Sequence, residues 1–109
     1  MTSTVKINMN VCSQFTIVKA TQKDDCTFDI EVISDCPNVR EFAETLENLN
    51  MTDLTDKANS RLFDRMRVTA MSANCLVPAG ILHAAWIEAG LISKNLAKSV
   101  GNNNVEFLD

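Results

Sequence analysis

The sequence predicts an α+β domain: an N-terminal three-stranded antiparallel meander, about three helices after it, and a short C-terminal strand. Before Pro37, residues 4–8 and 27–34 alternate apolar and polar with a period of two, as on half-buried strands, around a β-rich run at Phe15 to Ala20. After Pro37 the apolar residues recur at helical spacing. The order of strands, then helices, then one strand separates this class from the alternating α/β class.

The elements follow in order. Residues 4–8, Thr-Val-Lys-Ile-Asn, alternate as a first strand, and Asn8 to Asn10 interrupts it with turn-forming residues. Phe15, Ile17, Val18 and Ala20 lie in a second β-rich run. Gln22-Lys23-Asp24-Asp25 reads as the next turn. Phe28, Ile30, Val32 and Ser34 alternate with Thr27, Asp29, Glu31 and Ile33 as a third strand. Connections this short favour antiparallel pairing, because parallel strands need a long crossover.

Val39, Phe42, Ala43, Leu46 and Leu49 then form one face of an amphipathic helix, with Glu41, Glu44 and Glu47 on the other faces. Asp35 is the expected N-cap, and Pro37 fits the first turn, where its missing N–H has no partner to lose. A second helical region runs from about Thr52 to Met71, with Asn59-Ser60 as a candidate break. Met51, Met66 and Met71 fall at helical spacing and read as core. The third helix, Ala79 to Ala89, is apolar nearly all round, which predicts burial in a core or an interface. Pro78 marks its start and Gly90 is placed to be its C′ residue. Residues 93–99 suit one more short helix, Gly101 to Asn104 a turn, and Val105 to Leu108 an edge strand.

A chain of 109 residues fits a single domain, here 1–109, and no repeat or linker divides it. The apolar fraction of 46% is that of an ordinary globular protein. The net charge of −4 and a pI near 4.9 argue against a nucleic-acid footprint. Arg61, Arg65 and Arg67 are the one close group of basic residues and are expected on the wet face of a helix. The N-terminal residues lack the apolar core of a signal peptide, and no apolar run has the length of a membrane span. The expected location is therefore cytoplasmic, where thiols stay reduced. The Asn50-Met51-Thr52 sequon carries no weight there. Phosphate-binding loops are absent: three glycines, none in Gly-x-Gly, cannot form one.

The four cysteines carry the only chemistry with a physical argument. In a meander the first turn and the end of the third strand share one end of the sheet, so Cys12 and Cys36 come together there. Cys26, at the second turn, goes to the opposite end. Cys36 and Cys75 each stand in or just before the first turn of a helix, where unpaired N–H groups and the helix dipole favour a thiolate. If Cys75 folds onto the same end, Cys12, Cys36 and Cys75 supply three corners of a zinc or iron–sulfur site, with sulfurs about 4 Å apart. No Cys-x-x-Cys pair supports this, and a fourth ligand is unassigned. Packed cysteines at helix starts explain the pattern equally well, and for Cys26 packing is the better explanation. His83 lies too far along its helix to join the set. It has no partner for catalysis, so His83 and Trp86 read as structural.

Cys12, Asp35-Cys36-Pro37, Cys75 with Val77-Pro78, and Gly90-Leu91 together resemble a family of small uncharacterised cysteine-containing proteins, a domain of unknown function found mainly in methanogenic archaea and anaerobic bacteria. The likeness spans the first strand to Leu91. Leu76 stands where the family pattern has proline, Ser13-Gln14 where it has a glycine, and His83 and Trp86 where it has a lysine and a glutamate. The resemblance implies no activity, but it selects the same three cysteines. Three readings follow in rank order: a metal or cluster binder through Cys12, Cys36 and Cys75; a non-catalytic module, homodimeric through the apolar third helix or the edge strand; and a thiol redox protein.

Overall fold

The computed structural model describes residues 1–109. Three strands, β1 (Thr2–Met9), β2 (Gln14–Gln22) and β3 (Phe28–Ser34), form an antiparallel sheet in the order β1-β2-β3. Five helices follow: α1 (Pro37–Ala43), α2 (Met51–Thr55), α3 (Arg61–Val68), α4 (Val77–Glu88) and α5 (Lys94–Val100). This is the α+β class the sequence predicts. No helix is long and apolar enough to cross a membrane.

The alternation on the strands sorts the two faces of the sheet. Ser3, Ile7, Thr16, Val18, Ala20 and Phe28 are buried, while Thr4, Lys6, Asn8, Asp29 and Glu31 are exposed. Lys6 pairs with Ile17, and Ile17 with Ile33, so one cross-strand row on the open face carries two isoleucines. Phe15 and Ile33 are about half exposed on that face, and the Lys6 ammonium lies 5.0 Å from the Phe15 ring centre.

The apolar helix α4 covers the buried face over β1 and β2, and α1 packs on β3. Val77, Pro78, Ile81, Ala84 and Ala85 of α4 are buried, so the all-round apolarity of this helix is used inside the chain. Its C-terminus is a Schellman motif. Gly90 adopts φ 79°, the Leu91 N–H donates to the Trp86 carbonyl at 2.8 Å, and the Gly90 N–H donates to the Ile87 carbonyl at 3.1 Å. Gly80 is where α4 meets β1. A Cβ at this position would overlap the Ile7 side chain. Gly80→Ala is therefore expected to lower stability by up to about 2 kcal/mol, since overpacking of about 1–3 kcal/mol outweighs the roughly 1 kcal/mol of helix propensity gained. Urea unfolding checks this; a more stable variant would contradict so close a contact.

The other helix boundaries depart from the sequence pattern in instructive ways. Cys36, not Asp35, is the N-cap of α1, and its side chain caps nothing; the Ser34 hydroxyl accepts the Cys36 N–H at 3.2 Å instead. α1 ends at Ala43, so Leu46 and Leu49 are core residues without being helical. Asn48 turns the chain at φ 53°, and Leu49 forms an isolated antiparallel bridge with Phe28. The Thr52–Met71 region splits into α2 and α3, because Asp56 and Asn59 make a hydrogen-bonded turn and Ser60 caps α3 through the Leu62 N–H. Met66 and Met71 pack on the core, but Met51 is 44% exposed.

The arginines are not all on a wet face. Asp53, 2% exposed, accepts from Arg61 Nε at 3.1 Å and from its terminal nitrogen at 2.6 Å. The same carboxylate accepts the Asn50 and Arg61 N–H groups, closing the capping box of α2 and holding the start of α3. Arg61 also donates to the Asn48 carbonyl at 2.6 Å. Arg61 keeps about half its side chain exposed, Arg65 is half-buried with its Nε unpaired, and Arg67 is exposed and paired along the helix with Asp64.

The expected C-terminal strand does not form. Residues 101–109 have no regular structure and are exposed throughout. Asn103 is instead hydrogen-bonded to His83 of α4, on the helical layer.

Candidate functional site

Strand register places the two hairpin turns at opposite ends of the sheet. Met9 pairs with Gln14, so the four-residue turn Asn10–Ser13 projects from the end where Thr16 pairs with Ser34. Asn10–Cys12 form a single 3-10 turn closed by Ser13 in the left-handed region, and Cys12 is exposed on it. Cys36 lies two residues beyond Ser34, half-buried at the start of α1. The Thr16 hydroxyl donates to the Ser34 hydroxyl at 3.2 Å, and the Cys36 N–H donates to that same oxygen. The Cys36 backbone is thereby tied to the central strand.

Cys75 reaches this end through α4. The Leu76 N–H donates to the Met9 sulfur at 3.4 Å, while Glu88, near the other end of the helix, accepts from Ser3 and from the Gln22 N–H. α4 therefore starts beside the Cys12 turn and runs back along β1. Cys75, half-buried just before the helix, shares that start. Cys26 lies in the Lys23–Thr27 turn at the opposite end, with φ 65°, where Asp25 accepts from the Thr27 N–H and hydroxyl. The topology thus places Cys12, Cys36 and Cys75 at one end of the sheet and Cys26 at the other.

The gathering stops short of a coordination shell. No three His, Cys, Asp or Glu side chains stand close enough together to hold a metal ion between them. The expectation of three sulfurs about 4 Å apart is corrected on this point. The reason is local: Cys12 sits on an exposed turn, while Cys36 and Cys75 pack against the core.

The expectation of a helix-start thiolate is also corrected at Cys75. Burial pushes this thiol above its ordinary value, and the charges of Cys36 and Cys12 push the same way. The Val77 N–H opposes them without prevailing. Desolvation outweighs the helix terminus here, so Cys75 is a protonated thiol at neutral pH. Both charge effects on Cys75 come from the two cysteines that topology brings to the same end.

His83 and Trp86 serve the fold. The His83 Nδ1 is 2.6 Å from the Ala79 carbonyl, and the Trp86 indole N–H donates to the Leu54 carbonyl at 2.8 Å, pinning α2 to α4. The residue missed from sequence is Met9. Its place on the inward side of β1, in phase with Ser3, Val5 and Ile7, was the available signal.

Residues 3–100 match the model of a family of unknown function, DUF6951. No curated protein and no solved structure matches the chain.

Proposed function

This chain belongs to the DUF6951 family, which brings no assigned activity with it, and on its own residues we propose that it binds a thiophilic metal, a zinc ion or an iron–sulfur cluster, through Cys12, Cys36 and Cys75. The observation that supports this reading is the strand register. It puts the Cys12 turn and the Cys36 helix start at one end of the sheet, where the Met9–Leu76 contact brings in Cys75. Three soft donors from three separate elements suit a soft or borderline cation. Cys12 is exposed on its turn, while Cys36 and Cys75 are half-buried. Burial raises the Cys75 pKa, so a bound cation has to displace its proton.

Elemental analysis of protein purified without oxygen tests the reading. Stoichiometric metal is expected, lost in Cys36→Ser and retained in Cys26→Ser. Metal at trace level in the wild type contradicts it, as does equal loss in the Cys26 variant.

A second reading, pairing with a copy of itself, draws support from the open sheet face, where Phe15 is 55% and Ile33 48% exposed. Light scattering addresses it: a dimer that Phe15→Glu dissociates supports it, and a monomer at high concentration removes it.

A further inference from the structure

We propose that a second copy of this chain lays its residues Val105 to Leu108 along the free edge of β1 as an added antiparallel strand, with Glu106 beside Lys6, and that two copies exchange these segments reciprocally. The inference goes beyond the metal-binding reading and gives the self-pairing reading a surface separate from the open sheet face. It joins two features that a single copy leaves without partners. β1 is an edge strand of eight residues whose only ladder is with β2. Its register runs from Thr2 to Met9 without a bulge and it holds no proline, so Lys6 is its one device against edge pairing. Val105, Glu106 and Phe107 alternate as a strand does, yet they lie in no element, and Val105, Phe107 and Leu108 are largely exposed.

Charge and access select the edge. Residues 101–109 carry Glu106 and Asp109 and no basic residue. The other edge strand, β3, presents Asp29 and Glu31, and the Leu49 bridge already occupies the Phe28 backbone there. β1 bears Lys6 as its only charged side chain, and Lys19 of β2 stands on the same face, opposite Thr4. With Glu106 opposite Lys6 in an antiparallel pair, Phe107 falls opposite Val5 and Val105 opposite Ile7, all on the helix-covered side. Val5 is only partly buried, so Phe107 covers an exposed rim of the core. Gly101 ends α5 at φ 84° and Asn103 is held by His83, so the exchanged residues begin just past the last anchored one. Exchange of one short segment adds backbone hydrogen bonds between copies and leaves each domain folded as it is.

Sedimentation velocity at rising concentration tests this with Lys6→Glu, Glu106→Lys and the two variants mixed. Each variant alone sets like charges opposite each other at both exchanged strands, and is expected to weaken self-association by about tenfold or more. In the mixture each copy's edge meets a segment of opposite charge from the other copy, so a mixed dimer of wild-type strength is expected. Lys6→Glu also removes the cation beside Phe15, which mixing does not restore, so recovery reports the strand pairing alone. Single variants as dimeric as the wild type overturn the proposal; if Phe15→Glu then dissociates the dimer, the open-face reading stands without it. Weakened variants that fail to recover on mixing overturn it as well. A wild type that stays monomeric at high concentration removes both.

Discussion

Asp53→Ala is expected to destabilise the domain by about 3 kcal/mol at neutral pH, the low end of what breaking a buried ion pair costs. The carboxylate is 2% exposed, yet its Arg61 partner is about half exposed, which keeps the loss from the upper end. The single side chain closes the α2 capping box, accepts the first N–H of α3 and holds the Arg61 guanidinium that reaches back to Asn48. Removing it leaves four donors, two backbone and two guanidinium, without their acceptor. Burial raises the Asp53 pKa, but the Arg61 side chain and the Arg61 and Asn50 N–H groups outweigh it, so the carboxyl is held below its ordinary value. Arg61 is correspondingly held more firmly protonated, first by the same hydrogen bonds. The sign follows by linkage. The contribution is complete above the unfolded-state value near about 3.9 and is lost as pH falls through the lower folded-state value. Urea unfolding at pH 7 measures the effect, and repetition in acid should show the gap between wild type and variant narrowing only below about pH 4. A loss under about 0.5 kcal/mol at pH 7, the size of an ordinary surface substitution, would contradict this account.

The second large effect concerns the thiols. Cys75→Ser is expected to weaken zinc(II) binding by about 100-fold or more and to change its pH dependence. Burial holds Cys75 protonated at neutral pH, so metal must displace that proton. The slope of log affinity against pH counts the protons released. Wild-type affinity therefore rises with pH until the raised Cys75 value is passed, and the serine variant loses one proton from that slope. Isothermal titration in buffers of different ionisation enthalpy reads the proton count directly. An unchanged slope would show that Cys75 does not ligate.

The strands were legible because alternation is a direct image of a sheet with one buried face: Val5, Ile7, Val18, Ala20 and Phe28 each point where their phase predicts. Antiparallel pairing then followed from the short turns, and with it the separation of Cys26 from Cys12 and Cys36. Leu46 and Leu49 show the limit of the helical pattern. Their spacing identified core residues, but the left-handed Asn48 and the Phe28 bridge bury them from an irregular segment. Val105 to Leu108 shows the same limit for strands, since alternation without an adjacent edge makes no ladder. The Asp53–Arg61 clasp was not legible, because the pairing joins two helices across a turn that no periodicity describes.

At the site, sequence placed Cys12 and Cys36 at one end of the sheet, left Cys75 conditional, and misjudged how the environment treats Cys75. A helix start and a core both act on Cys75, and only the fold shows that desolvation prevails. Met9 was hidden for another reason: a methionine in phase with a strand reads as core filler, and only the Leu76 contact reveals that its sulfur faces the start of α4.

Cobalt(II) titration without oxygen tests the central claim most directly, because thiolate-to-cobalt charge transfer appears only when cysteine sulfur ligates. Wild type and Cys26→Ser are expected to develop this absorption with a stoichiometric end point, and Cys12→Ser, Cys36→Ser and Cys75→Ser each to lose most of it. Equal absorption in all five proteins, or none in the wild type, would contradict a site built from Cys12, Cys36 and Cys75.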